Sequence, residues 1–302
     1  MDDLPLPFKT LCPPALLAAD RSLRRVGLEI EFLGPSARVA AEALARHFVG
    51  TVIAEDPHAF RIHGTRLGDM SVETDLRYLH PKRHPNLGLR LNARTAAWLG
   101  TLVAPFVPRE LITAPIPITQ LSEVDALITV LRAAGARGRG AVLLDSLGLH
   151  FNIDPPRLDA ATVTAYLKAF LVVNERLRRE TARGRLRLAC ALPPDFPQAY
   201  VQRVLAPDYW PNVNQLTDDY LAANPTRDRA FDLLPLLAYL DEERVRKALP
   251  HEKIGPRPAF HYRLPQAHLS DPTWSILPDW ERWLRVERLA ADPATLSMRL
   301  AG

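Results

Sequence analysis

The sequence predicts an α+β fold built around an antiparallel sheet, and three observations carry that prediction. Residues 27–32 and 148–154 alternate chemistry-bearing and bulky apolar side chains at the two-residue period of a strand. Between residues 51 and 75, three short strand-like runs follow one another with only turn residues between them, which is the spacing of an antiparallel meander. From 159 to about 183, Val163, Tyr166, Phe170, Val173 and Leu177 recur at helical spacing, giving a helix long enough to cover one face of such a sheet.

Taken in order, residues 26–33 read as the first strand, with Leu28, Ile30 and Phe32 on one face and Glu29 and Glu31 on the other. Ser36 is placed to cap a helix through about Phe48, with Val39, Ala43, Leu44 and Phe48 expected on its buried side. The meander strands are expected at 51–55, 59–63 and 67–75. A helix over about 89–103 leads to a short strand at 109–113, stopped by Pro115 and Pro117. Thr119 or Ser122 opens a further helix that Gly135 can end. Residues 141–144 are expected to pair at the sheet edge, and 147–153 form the second alternating strand. Asp159 and Gly184 bracket the long helix. Residues 197–249 read as mostly helical, broken at prolines 207, 211, 225 and 235. A last strand at 260–264 sets His261 and Arg263 opposite its apolar residues, and a terminal helix from about Asp279 carries Trp280, Trp283, Leu284 and Leu289 as a packing stripe.

Composition agrees with a globular chain. Of the 302 residues, 47% are hydrophobic and 24% charged, and neither a linker nor a repeat divides the chain, so one domain over 1–302 is expected, with a mostly helical segment at 197–250 inserted before the last sheet strand. The longest apolar stretch, 96–107, is too short to span a bilayer, and the acidic start does not read as a secretory signal. Cys12 and Cys190 are too few for a disulfide framework, which points to the cytoplasm. A formal charge of +4 is modest, and the arginine clusters at 137–139 and 176–187 read first as a loop and a solvated helix end. No Gly-x-x-x-x-Gly-Lys loop, Gly-x-Ser-x-Gly elbow or Cys-x-x-Cys pair occurs, which removes support for P-loop chemistry, serine hydrolysis and a structural zinc site.

The chemistry-bearing residues concentrate on the polar faces of separate strands: Glu29 and Glu31; Asp69, Ser71, Glu73 and Asp75; Glu110; His150, Asn152 and Asp154; His261 and Arg263. One such pattern is ordinary for a half-exposed sheet. Several together, rich in carboxylate and imidazole rather than Lys and Thr, point to a dedicated site. Adjacent carboxylates such as Glu29 and Glu31 repel unless a cation sits between them, and oxygen ligands suit Mg²⁺ or Mn²⁺. His80 and its basic neighbours, in a proline-bounded loop, read as a surface turn.

In order along the chain, Val26-Gly-Leu-Glu29-Ile-Glu31-Phe, Arg109-Glu110-Leu-Ile-Thr-Ala-Pro-Ile, Ser146-Leu-Gly-Leu-His150-Phe-Asn152 and Tyr262-Arg263-Leu-Pro resemble the strands of the amidoligase family, a branch of the carboxylate–amine ligase superfamily that includes glutamine synthetase. The resemblance implies a sheet curved into a half-funnel with helices on its outer face, ATP entering one end and the acceptor the other. It implies divalent cations, Mg²⁺ or Mn²⁺, on Glu29, Glu31, Glu73, Glu110 and His150, and phosphate or acceptor carboxylate on Arg263. Asn152 stands where the family usually has a second histidine and can still donate to a phosphate, and His261 stands where related strands tend to carry Glu. Arg257 is within reach of the site through a Gly-Pro-rich approach, and Asp69 or Asp75 is a candidate general base. The implied reaction joins a small-molecule or peptide carboxylate, glutamate-like in character, to an amine through an acyl phosphate. A non-catalytic nucleotide-binding protein on the same fold is a second reading and a nucleic-acid-binding module a third. A homo-oligomer is a further expectation, since related ligases often assemble.

Overall fold

The computed structural model describes residues 11–76, 80, 95, 98, 107–138, 147–182 and 192–301. The helix expected over 89–103, apart from Thr95 and Trp98, the edge pairing at 141–144, and the loop basic residues beyond His80 lie outside them.

Among the described residues, nine strands pair antiparallel in one open sheet. They are β1 (Arg25–Phe32), β2 (Thr51–Asp56), β3 (Ala59–Thr65), β4 (Gly68–Thr74), β5 (Arg109–Thr113), β6 (Ile116–Pro117), β7 (Leu149–Ile153), β8 (Phe231–Asp232) and β9 (Phe260–Tyr262). Across the sheet the order is β2-β3-β4-β5-β1-β7-β9-β8, with β6 paired to β1. The strand carrying Glu29 and Glu31 therefore lies in the middle, between two strands that also carry site candidates.

The alternation divides the sheet into two unlike faces. Phe60, Val72, Leu111, Ile30 and Leu149 form one cross-strand row by register, all buried, and Leu28 pairs with Phe151 on the same side. Helices cover this face. Helix α1 (Ala37–Phe48) packs on β3 and β4, and α2 (Val124–Ala133) packs on α1. Over β7 and β9, α3 (Ala160–Thr181) and α8 (Leu277–Ala290) bring Phe170 to 6.2 Å and Trp283 to 5.2 Å from the Tyr262 ring, and Trp280 to 5.8 Å from Phe151. Burying aromatic rings of this size contributes on the order of 2–3 kcal/mol each.

Local rules explain the helix ends. Ser36 accepts from Val39 N and Asp159 from Thr162 N, as their positions before the helices predict. Gly135, at φ 91°, ends α2 in a left-handed turn that few other residues adopt. That helix begins later than expected: a 3₁₀ turn over Ile118–Glu123 precedes it, because Pro117 fixes the chain direction first.

Several expectations are corrected. In α1, Ala37, Ala40, Ala41 and Leu44 face inward, and Val39 is 45% exposed; the stripe fixed by Leu44 and Phe48 runs through i−3, i−4 and i−7, which passes Val39 by. Pro235 does not break the helical segment but sits in the first turn of α6 (Leu234–Leu240), where its missing N–H costs nothing. The segment consists of α4 (Gln198–Leu205), α5 (Val213–Ala223), β8, α6 and α7 (Glu242–Ala248), so it contributes an edge strand as well as helices. His80 is no surface turn: it is 2% exposed, with its ring nitrogens 2.8 Å from Asp56 Oδ2 and 2.8 Å from Thr74 O.

A buried ion pair ties the two ends of the chain. The Arg24 guanidinium, just before β1, lies 2.7 and 3.1 Å from the two carboxylate oxygens of Glu287 on α8, and also donates to the carbonyls of Ala15 and Asp154. Trp283 Nε1 and the Tyr166 hydroxyl complete the shell around Glu287. No helix among the described residues is long and apolar enough to cross a membrane.

Candidate active site

The opposite face of the sheet carries two adjoining groups. In the first, register sets Glu73 opposite Glu110 and Glu110 opposite Glu31, a row of three carboxylates across β4, β5 and β1. Neighbouring strands are about 4.8 Å apart, so this repulsion is built into the backbone. Burial, followed by the charges of Glu29, Asp75, Glu31 and Glu73, pushes the Glu110 carboxyl well above its ordinary value, and burial raises Glu73 as well. A cation among the three carboxylates would relieve that repulsion. An oxygen-only donor set of this kind suits Mg²⁺.

The second group centres on Glu29. Its Oε1 accepts from Asn152 Nδ2 at 2.9 Å and from the Arg257 guanidinium at 3.2 Å. Its Oε2 faces two imidazoles, His150 Nδ1 at 3.0 Å and His261 Nε2 at 3.5 Å. Burial works against the Glu29 charge, but the two imidazoles outweigh it and hold the carboxyl well below the usual carboxylate range. Burial lowers the His150 pKa, with the Glu29 hydrogen bond opposing it. The two rings meet edge to face, 5.4 Å apart.

Backbone features hold these groups in place. Gly148 N donates to Glu31 Oε2 at 2.7 Å, and the absent side chain of Gly148 leaves the space in which the His150 ring lies. Register pairs Asn152 with His261, and His261 with Asp232 on β8. Beside Glu31 and His150 opens a cavity of about 250 Å³, lined also by Gly148, Asp228, Arg263 and Gln266.

The sequence candidates thus fall into three sets. Glu29 and His150 are in contact, and Glu31, Glu110 and Glu73 form the adjoining row. Arg263 lines the cavity, with its Nε buried and lacking a hydrogen bond while its terminal nitrogen donates to Arg227 O. Asn152 and Arg257 both bond to Glu29. Asp75 is exposed, two residues beyond Glu73, and its charge reaches Glu110. Asp69 stands apart: it accepts from Gly64 N and pairs with His63 at 2.8 Å in the β3–β4 hairpin, four residues along the strand from Glu73. Asp154 is likewise engaged elsewhere, accepting from Arg25 N.

Two further residues belong to the second group: His261, which alternation put on this face but to which no role was given, and Asp232. His261 was set aside as a departure from the family pattern, although its place opposite the apolar residues of its strand already put it on this face. Asp232 gave no signal, because a two-residue strand carries no periodicity. Of the described arginines in the 176–187 run, Arg176, Arg178 and Arg179 are in ion pairs with Glu180, Asp195 and Glu175.

A family model described as "Putative amidoligase enzyme" matches residues 22–285, and the chain belongs to that family. No curated protein and no solved structure matches the chain. The matched span contains both groups of the candidate site, and the family is named for amide-forming ligases.

Proposed function

We propose that the protein is an ATP- and Mg²⁺-dependent carboxylate–amine ligase that works through an acyl phosphate. The observation that carries this reading is the carboxylate row Glu73–Glu110–Glu31 beside a cavity that Glu31 shares with Arg263. Glu31, Glu73 and Glu110 would hold Mg²⁺, which when bound neutralises charge on the nucleotide phosphates during transfer. Arg263 lines the cavity and orients either the acceptor carboxylate or the moving phosphoryl group. The acceptor oxygen attacks the γ-phosphorus and ADP leaves. The amine nitrogen then attacks the acyl carbon, phosphate departs with the C–O bond electrons, and the nitrogen loses a proton. Asp75, beside the row, is better placed to take that proton than Asp69, which is held in its hairpin.

The cavity volume suits an acceptor of amino-acid size or one residue of a peptide, and the amine donor is left open by the geometry. ATP use agrees with the cytoplasmic setting expected from the two cysteines. A non-catalytic ligand-binding protein is the second reading, and one observation favours it: Asn152 and Arg257 both bond to Glu29 rather than standing free for a nucleotide.

The test is a hydroxylamine trap. Purified protein with ATP, Mg²⁺ and a panel of carboxylates, γ-glutamyl compounds included, should form a hydroxamate with stoichiometric ADP, and Glu31→Gln and Glu110→Gln should abolish it. ATP loss that is indifferent to every acceptor, or full turnover in both variants, would sink the ligase reading.

A further inference from the structure

We infer that a second cavity, which shares Gln266 with the first, seats the amine donor of the proposed ligase, and that this donor is an amino acid or a compound with the same paired ammonium and carboxylate. The donor's role rests on the ligase reading; the chemistry of the cavity does not. About 440 Å³ in volume, the second cavity lies between the end of α3, the start of α8 and residues 266–275, with Glu180, Gln266, Asp271, Trp274, Asp279 and Arg282 in its lining. Gln266, 4% exposed, also lines the cavity of Glu31 and Arg263. Its backbone is fixed on both sides: Leu149 N donates to Pro265 O at 3.1 Å, and Ala267 N donates to Leu147 O at 2.8 Å. A ligase must bring two organic substrates together, and two neighbouring cavities provide for both.

The wall of this second cavity is built in advance. Arg132, near the end of α2, donates to the carbonyls of Leu269, Asp271, Pro272 and Trp274, so residues 269–274 wrap round one guanidinium. Asp125, at the other end of α2, accepts from Ser275 Oγ at 2.6 Å and from Ile276 N at 3.2 Å. A planar group with its donors in a fixed fork gives such a turn one shape. A ligand therefore meets side chains that are already in place, and little ordering remains to oppose binding.

Two of the lining side chains are held firmly yet incompletely bonded. Arg282 donates through Nη1 to Asp279, and its Nε stands 3.6 Å from Glu180 Oε2, which fixes the guanidinium; among the described residues nothing bonds its Nη2. Asp271 accepts at Oδ1 from Thr273 N at 2.8 Å and from Thr273 Oγ1 at 2.7 Å, and its Oδ2 is unbonded among the described residues. Those bonds keep the Asp271 carboxyl below its usual range, so it is charged at neutral pH. An open guanidinium nitrogen and an open carboxylate oxygen in one cavity match a zwitterion, its carboxylate on Arg282 and its ammonium on Asp271. Trp274, whose ring lies 6.2 Å from that of His268, adds an apolar side. Thr181, 6% exposed, lines the same cavity, and its hydroxyl has no hydrogen-bond partner, which is capacity the fold leaves unused. With Arg263 in the first cavity and Arg282 in the second, each substrate's carboxylate has an arginine of its own.

The test is calorimetric binding of single amino acids to the full chain without ATP, each beside its decarboxylated amine and its deaminated acid. At least one amino acid should bind, and both truncated forms should bind about tenfold or more weakly, the size of a lost hydrogen bond to a charged group. Asp271→Asn should narrow the gap between the amino acid and its deaminated acid, and Arg282→Gln the gap between the amino acid and its amine. Melting curves establish that each variant is folded, and Trp274→Leu provides a second route to weaker binding. In turnover, Asp271→Asn should raise the KM of the amine donor about tenfold and move that of the carboxylate far less. Hydroxylamine is too small to need this cavity, so the wild-type trap reports on the ligase reading by itself. A working trap with no amino acid bound, or with the donor KM of folded Asp271→Asn and Trp274→Leu proteins equal to wild type, would overturn the donor cavity and leave the ligase standing. A failed trap beside Asp271-dependent amino-acid binding would remove the ligase reading and the donor role with it.

Discussion

Gly148→Ala isolates the placement of His150 from every other property of the site. A β-carbon at 148 would stand 3.1 Å from His150 Cε1 and 3.2 Å from Cδ2, and nearer still to Nε2, against a preferred separation of about 3.5–4.0 Å. The obstructing atoms are the end of a side chain, so the strand can stay and the ring must turn. Turning it breaks the 3.0 Å contact with Glu29, a hydrogen bond to a charged group worth about 1.5–3 kcal/mol. An unfolding entropy of about 2.1 cal/mol/K per residue gives about 0.63 kcal/mol/K for 302 residues, so Tm should fall by only about 2–5 °C. Function should suffer more: on the metal-dependent reading, displacing His150 should lower divalent-ion affinity at least about tenfold, and a shift of about 1 Å beside the cavity should lower turnover by about a hundredfold. Calorimetric Mn²⁺ titration and thermal melting read the two effects separately. Gly255→Ala, where an added β-carbon meets nothing within 4 Å, controls for the loss of a glycine. Unchanged metal affinity in Gly148→Ala would refute the claim that this glycine exists to seat the imidazole.

Three further outcomes follow from the charges. Glu287→Ala strands a buried guanidinium and should cost about 3–5 kcal/mol, or about 5–8 °C in Tm, while the double change with Arg24→Met should cost less than the sum of the singles; a Tm within experimental error of wild type would contradict the pairing. Glu110 has its folded pKa raised by burial and by its carboxylate neighbours, so the folded protein binds the extra proton and metal-free stability falls as pH rises from the ordinary carboxylate value through the raised one. Glu110→Gln removes that dependence: in EDTA it should gain on wild type at pH 8 relative to pH 4, and added Mg²⁺ should raise the wild-type Tm more than the variant's, which parallel melts will check. His80 is raised because its bonds to Asp56 and Thr74 O overcome the effect of burial, and Asp56 is lowered by the same contact. The stabilisation from His80 is therefore complete below its ordinary pKa of 6.5 and fades as pH rises through the higher folded value, while that from Asp56 is lost only in acid as pH falls through its depressed value. The deficit of His80→Ala in urea melts should peak near pH 5–6 and narrow above pH 7; a deficit independent of pH would remove the ion pair from the explanation.

The sequence revealed which face each strand residue occupies, because a period of two needs only a few residues to be legible: Glu29, Glu31, Glu110 and His150 all project where alternation placed them. Register was not legible. Nothing local says that Glu110 stands between Glu31 and Glu73, or that His261 reaches the oxygen that His150 also faces, since pairing is fixed by tertiary packing and by turns far along the chain. Asn152 and Arg257 both donate to Glu29, and nothing in the sequence says that they meet on that one carboxylate. Short elements were hidden for another reason. Asp232 lies in a two-residue strand within a run of helix-forming residues, where propensity outweighs any strand signal. Val39 misled because hydrophobicity alone was used to choose the buried stripe of α1, while four small alanine and leucine positions one step round the helix allow closer packing on the sheet.

The Arg24–Glu287 pair has a bearing on how the chain comes into being. The partners are 263 residues apart. At a translation rate of about 5–20 residues per second, the guanidinium leaves the ribosome about 13–50 s before its carboxylate exists. Through that interval the central strand is complete but the tryptophan-bearing helix that covers β7 and β9 is not, so that half of the nascent sheet lacks part of its apolar cover. Docking of that helix is therefore a late event in synthesis, and until it arrives the apolar rings of β7 and β9 lack the partners that bury them.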